Sequence, residues 1–151
     1  MKFETLDFND EKDIKNFKTD CGDLQDCFTA LPCRPGSNNQ LDKRLRSIEW
    51  VCKAIVFLTE DFSNCFDKLH EKNAECVQNW NPLPNEIYLE DDKMKVEKMK
   101  ENACDTYFGK DDCVKKEIIE RCGQEEWNTF RKKMIKLSED VVGKCDFSRL
   151  E

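Results

Sequence analysis

The residues best placed to do chemistry in this 151-residue chain are its ten cysteines. Cys113 and Cys122 lie nine positions apart in "DDCVKKEIIERCG". They can bond each other, share a metal, or reach separate partners. A helix rises about 1.5 Å and turns about 100° per residue, so helical geometry would hold them roughly 13.5 Å and half a turn apart. A disulfide needs Cα atoms about 4.4–6.8 Å apart. If this segment is helical, each cysteine must therefore reach a different neighbour, and the helix is tied on two sides. A metal reading requires close spacing of the CxxC kind with further Cys or His. No CxxC is present, the nearest neighbours Cys21, Cys27 and Cys33 are six apart, and His70 is the only histidine. The reading is oxidised sulfur: Cys21, Cys27, Cys33, Cys52, Cys65, Cys76, Cys104, Cys113, Cys122 and Cys145 form disulfides of open connectivity, with no metal and no cofactor. The absence of CxxC also removes the thioredoxin-type redox motif.

Other reactive types point nowhere as clearly. A lone histidine near a helix end is ordinarily solvated or lightly packed, and general-base work needs an oriented partner and a nucleophile. Ser37, Ser47, Ser63, Ser138 and Ser148 sit in no G-x-S-x-G turn. The acidic pairs Glu60/Asp61, Asp91/Asp92, Asp111/Asp112 and Glu125/Glu126 read as helix starts, where carboxylates favour the dipole. Basic clusters at Lys43/Arg44/Arg46, Lys93/Lys95/Lys98/Lys100 and Arg131/Lys132/Lys133/Lys136 are interleaved with acids and read as solvated faces. A net charge of −7 disfavours nucleic-acid binding, which needs a concentrated basic face. The expectation is a protein that is not an enzyme.

The elements that must position these residues are helical. The chain is 38% charged and 38% hydrophobic, a lean core that covalent links would have to supplement. Residues 1–8 read as a loose lead and 9–151 as one disulfide-rich domain. Asn9 is placed to cap a helix carrying Ile14 and Phe17. "CRPGSNNQ" (33–40) and "NWNPLPNEIYLE" (79–90) are breaks rich in Pro, Asn and Gly; "NEIYLE" is the one stretch that could form a short strand. Between them, Leu41, Leu45, Ile48, Cys52, Ile55 and Leu58 form a helical stripe. Thr59 reads as the cap of a next helix burying Phe62, Cys65, Phe66 and Leu69. A helix from about Glu90 would bury Met94, Met99, Ala103 and Cys104. Asp111 or Asp112 can cap the Cys113–Cys122 helix, which Gly123 stops. Trp127, Phe130, Met134, Leu137 and Val141 make the stripe of the last helix, which Gly143 ends. The fold class is all-α: a small disulfide-stapled bundle of five or six helices. No apolar run approaches the length of a membrane span. "MKFETLDFNDEKD" holds no apolar core segment, so the chain reads as a mature form whose signal peptide has been removed.

Three steps carry a family resemblance: F-G-K-x-x-C at Phe108–Cys113, C-G-x-x-x-W at Cys122–Trp127, and C-D-F at Cys145–Phe147. With "CKAIVFLTEDFSNCFDKLHEKNAEC" before them, they make the region from Cys21 to Leu150 resemble a nematode-specific family of secreted cysteine-rich proteins, catalogued as domain of unknown function 19. The resemblance implies secretion and a multi-disulfide helical domain, and supplies no catalytic residues.

The functional expectation is a secreted, non-enzymatic extracellular module that binds another protein in defence or signalling. Its contact loops would be 34–40 and 79–90, with Trp80, Ile87 and Tyr88 as apolar anchors unless they tuck back onto the bundle. The alternative is a carrier of a small hydrophobic ligand in an inter-helix cavity lined by Phe57, Phe62, Phe66, Met94, Met99, Phe130 and Met134, residues that more often simply fill a core.

Overall fold

The computed structural model describes residues 10–29, 39–71, 75–84, 86–143 and 145–150; at 28–29, 39–44 and 140 it describes the backbone alone. The 1–8 lead, the Asn9 cap, Cys33 and most of the 33–40 break lie outside the described residues. Eight α-helices follow in order among those described: α1 (Glu11–Thr29), α2 (Asn39–Thr59), α3 (Ser63–Glu71), α4 (Glu75–Gln78), α5 (Glu86–Leu89), α6 (Lys93–Asp105), α7 (Cys113–Cys122) and α8 (Gln124–Val142). Six span nine residues or more, and α4 and α5 are single turns. The described residues contain no strand, and "NEIYLE" contributes α5. The chain is the all-α, disulfide-stapled bundle that periodicity predicts.

The core assembles where α8 packs on α2 and α7, and α7 on α3. Trp127, Phe130 and Met134 of α8 are fully buried, as the stripe requires, with Leu137 and Val141 half-buried beyond them. Phe130 is the hub: its ring lies 4.9 Å from Phe62, 5.6 Å from Trp80, and 6.2 Å from each of Phe57, Phe108 and Trp127. Such tilted pairs add to the burial of the rings themselves.

Sequence periodicity places the inward face of α2 correctly at its C-terminal end, where Ile55 and Leu58 are fully buried, and misplaces it earlier. Trp50, Ala54, Phe57 and Leu58 point into the core, whereas Ile48 is 44% exposed and Cys52 is half-buried. Ile48 and Cys52 lie roughly 200° around the helix from Trp50. In the first half of the helix the larger Trp50 ring takes the core in place of Ile48, because it buries the larger area. Thr59 ends α2 instead of capping α3; its hydroxyl donates to the Ile55 carbonyl (2.8 Å). Met94 is 84% exposed in the first turn of α6, and Val96 is buried in its place. Helix α1 starts at an Asp10 cap, whose Oδ1 accepts from Lys12 N (2.8 Å) and Asp13 N (3.4 Å). It then runs through Gly22 to Thr29, well past the short helix expected around Ile14 and Phe17.

Disulfides Cys21–Cys52, Cys65–Cys122, Cys76–Cys113 and Cys104–Cys145 tie α1 to α2, α3 to the end of α7, α4 to the start of α7, and α6 to the C-terminal segment. Cys113 and Cys122 thus fasten α7 at both ends to different elements. Cys27 is also disulfide-bonded, with a partner outside the described residues. Two polar bridges cross the core: Trp80 Nε1 donates to the Tyr107 carbonyl (2.7 Å), and the Tyr107 hydroxyl donates to the Met134 carbonyl (2.8 Å).

Burial pushes Tyr88 up to about 12, against the opposing pull of the nearby Ser47 hydroxyl, although no well-formed hydrogen bond reaches its oxygen. Burial raises Tyr107 in the same direction. A raised phenol favours the neutral form in the folded state, so this contribution is complete below pH 10 and fades as pH climbs toward 12. The chain has only these two tyrosines. At pH 10 the folded protein is expected to show little tyrosinate absorbance, whereas the chain in urea shows half-ionised phenols. Half-ionised phenols in the folded protein at that pH would contradict the assigned burial.

Candidate functional site

Helix α1 differs from every other long helix: none of its described side chains is buried, and Ile14, Phe17 and Leu24 are only half-covered. It lies on the bundle through the Cys21–Cys52 disulfide and the Lys18–Glu60 ion pair (2.9 Å). Pairing a low residue number in α1 with a high one past the end of α2 shows that the two helices run antiparallel. Because α1 rests on the bundle without interdigitating, it leaves space beneath it. Between α1, α2 and α8 there is a cleft of about 410 Å³, within the range of about 300–1,000 Å³ usual for small-molecule sites. Its apolar lining is Leu24 of α1, Val56 and Phe57 of α2, and Leu137 of α8, closed at one place by the Cys21–Cys52 bridge.

Charges ring this lining. Lys53 pairs with Glu49 (2.7 Å) one turn earlier on α2, and Lys18 pairs with Glu60. Lys133 of α8 sits with its Nζ 5.7 Å above the centre of the Phe57 ring, a cation–π geometry. Among the described residues neither Lys133 nor Asp61, which also lines the cleft, has an ion-pair partner.

A second, more polar groove of about 710 Å³ runs between α1 and α3, lined among others by Ile14, Phe66, Asp67 and His70. The His70 ring lies tilted against Phe66 with centres 4.3 Å apart, and its Nδ1 lies 3.3 Å from the Phe66 carbonyl. No group of three or more metal-ligating side chains occurs among the described residues.

The expected anchors of the 79–90 loop are not on the surface. Trp80, Ile87 and Tyr88 are 5%, 4% and 8% exposed. Trp80 is drawn inward by its hydrogen bond to Tyr107 and its ring contact with Phe130, and α5 packs Ile87 and Tyr88 toward α2. Among the described residues the expected lining does not converge on one cavity: Phe66 lines the α1/α3 groove and Phe57 the α1/α2/α8 cleft. Phe62, Phe130 and Met134 are filled core, Met99 packs against that core, and Met94 faces solvent, leaving Phe57 as the only one of those residues in the α1/α2/α8 cleft. Leu24, Val56, Asp61 and Lys133 could not be assembled from the sequence, because a cleft created by imperfect docking of one helix has no local pattern.

Residues 1–146 match the profile of a protein family described as Domain of unknown function (DUF19). The chain belongs to this family. It is 50% identical over 150 residues to the Caenorhabditis elegans protein named Excretory canal abnormal exc-13, covering 99% of this chain and 74% of that protein. Two UPF0376 proteins of the same nematode are 49% and 40% identical, across 99% and 100% of this chain and 68% and 74% of theirs. No solved structure matches the chain.

The three steps by which the chain resembles the DUF19 family have structural roles here. In the first, Phe108 is fully buried and Gly109 adopts φ 81°, ψ 169°, a region open essentially to glycine alone. A Cβ at Gly109 would lie 2.6 Å from Cys113 Sγ and 3.3 Å from Cys76 Sγ, so the glycine is what lets the disulfide pass. Asp111 and Asp112 follow with φ near 55°. Asp112 occupies the cap position of α7 without a capping hydrogen bond; its carboxylate takes the Arg149 guanidinium instead (3.4 Å). In the second step, Gly123 (φ 96°) joins α7 to α8 in one residue, and its N–H donates back to Ile118 and Ile119. In the third, Cys145 is bonded to Cys104 and Phe147 is buried against Tyr107 and Phe108. Gly109→Ala is expected to cost about 1–3 kcal/mol from backbone strain, together with slower formation of the Cys76–Cys113 bond. Urea unfolding and thiol titration during refolding would measure both; an unaltered unfolding midpoint would contradict the close approach.

Proposed function

We propose that the chain is a secreted, non-enzymatic binding module of the extracellular space, and that its binding site is the cleft between α1, α2 and α8. Secretion is supported by the oxidised cysteines, with no free thiol among the described residues, since intracellular thiols are kept reduced. The net charge of −7 argues against nucleic acid as the partner, and no helix among the described residues is long and apolar enough to cross a membrane. The observation that carries the reading is an apolar cleft roofed by a helix none of whose described side chains is buried. A stapled scaffold with one loosely seated helix admits a guest without disturbing its packing. Hydrogen–deuterium exchange on the oxidised protein, with and without nematode extracellular extract, tests it. Protection is expected in α1 and the second half of α2; protection confined elsewhere would sink the choice of site.

A second reading has its own support. Ile48, Leu89 and Met94 are 44%, 56% and 84% exposed, on α2, α5 and the start of α6, which pack in sequence on one another. Contiguous exposed apolar patches mark protein contacts, and these three side chains lie on elements that adjoin one another. Protection of α5 and α6 in the same experiment, lost in Leu89→Asp with Met94→Asp, would favour a protein partner there. Replacing the whole 79–90 loop is a poorer test, because it removes the core residues Trp80, Leu83 and Ile87.

A further inference from the structure

We infer that the α1/α2/α8 cleft takes a single-chain amphiphile with a zwitterionic headgroup, of the lysophospholipid kind; the inference rests on the cleft being the binding site. Its first support is charge. Of the five charged side chains lining the cleft, Lys18, Glu49 and Lys53 are engaged in ion pairs, while Lys133 and Asp61 have no ion-pair partner among the described residues. One cation and one anion without an ion-pair partner among the described residues, beside the same apolar lining, complement a phosphate joined to a quaternary amine. A carboxylate headgroup would satisfy Lys133 but face Asp61, and a simple alkylammonium would do the reverse. Lys133 is also held over the Phe57 ring, which places its charge at the border between the apolar floor and water, where a headgroup would sit. The apolar lining of Leu24, Val56, Phe57 and Leu137 offers an acyl chain a surface on three helices.

The second support is Gly22. It lies inside α1 and lines the cleft, and a Cβ built on it would meet nothing within 4 Å. A glycine inside a helix costs about 1 kcal/mol relative to alanine, and no close packing here calls for one. Its missing side chain keeps the α1 wall of the cleft open.

The test uses three probes with one tail, each below its micelle concentration: hexadecylphosphocholine, hexadecanoate and hexadecyltrimethylammonium. Their binding to the oxidised protein is read by isothermal titration. The zwitterion is expected to bind most tightly. Lys133→Ala and Asp61→Asn should each weaken it by about three- to fivefold, the scale of an exposed ion pair. Gly22→Leu projects a side chain into the empty space and is expected to weaken it at least tenfold, while helix propensity leaves thermal unfolding unchanged or slightly higher. Equal binding of all three probes, or tightest binding of hexadecanoate, with sensitivity to Gly22→Leu would overturn the zwitterion assignment and leave the cleft as the site. Binding indifferent to Gly22→Leu, or none by any probe, would overturn the inference outright. The exchange experiment on the extract then judges the cleft separately.

Discussion

Replacing Cys65 and Cys122 together by serine is expected to lower the unfolding free energy by about 4 kcal/mol, and replacing Cys21 and Cys52 by less than about 1 kcal/mol, although loop entropy alone would make them nearly equal. The bridges span 57 and 31 residues, and a logarithmic dependence on loop length separates them by only about 0.5 kcal/mol. What differs is the native state. Cys65–Cys122 joins α3 to α7 in the packed core; Cys65 is itself buried. When that bond is cut, the chain entropy regained belongs to the unfolded ensemble, while the folded state stays as ordered as before. Cys21–Cys52 instead holds a helix with no buried side chain among its described residues. Without it, α1 can leave the bundle while the remainder stays folded, so the native state gains much of the same entropy and the difference shrinks. Urea unfolding of the two variants, with hydrogen exchange on α1, checks this. The α1 amides should lose protection in the Cys21/Cys52 variant while the α8 amides keep theirs. Equal destabilisation by the two variants would refute the peripheral status of α1, and with it the origin of the cleft.

Phe130→Ala is expected to cost about 3–5 kcal/mol. In a domain of this size that is about 10 °C or more in Tm. Phe130 contacts five other rings, drawn from α2, the α2–α3 turn, the loop after α4, the segment after α6, and α8 itself. A cavity at such a junction cannot close by moving one neighbour, because each is held from behind: Trp80 by its bond to Tyr107, Phe108 by Gly109 and the adjoining Cys76–Cys113 bridge. Phe130→Leu should cost about 1–1.5 kcal/mol, since most of the volume remains. Met94→Ala, at a side chain 84% exposed, should fall within about 0.5 kcal/mol of the parent. Thermal unfolding by circular dichroism measures all three. A loss below about 1 kcal/mol for Phe130→Ala would show that the aromatic hub can repack.

Peripheral α1 and rigid hub together describe a division of labour. The half of the molecule from α3 onward is fastened by three of the four described disulfides and by the C-terminal segment. There Lys115 donates to the Leu150 carbonyl (3.1 Å), Arg131 to that of Phe147 (3.1 Å), and Arg149 to that of Asp105 (2.9 Å). The Asp146 carboxyl is held below its ordinary value, first by the Ser148 backbone N–H. That contribution is present above the ordinary carboxylate range and fades as pH falls through the lowered value. Helix α1 has one described bridge to α2 and no buried side chain among its described residues, and it is where the cleft opens.

The primary sequence by itself determined the helices whose signals are local. Helix α8 has a three-four apolar repeat opened by Gly123, and α7 ends at that same glycine, so these limits follow from neighbours a few residues away. It also determined that Cys113 and Cys122 could not pair along one helix, because rise per residue is a local quantity. Tertiary structure alone decided which distant cysteines meet, that Trp50 and not Ile48 turns inward on α2, and that Trp80, Ile87 and Tyr88 are core. It alone decided too that Leu24, Val56, Phe57 and Leu137 converge beneath α1. Each of these is settled by competition for buried area among segments tens of residues apart, and periodicity within any one segment cannot register that competition.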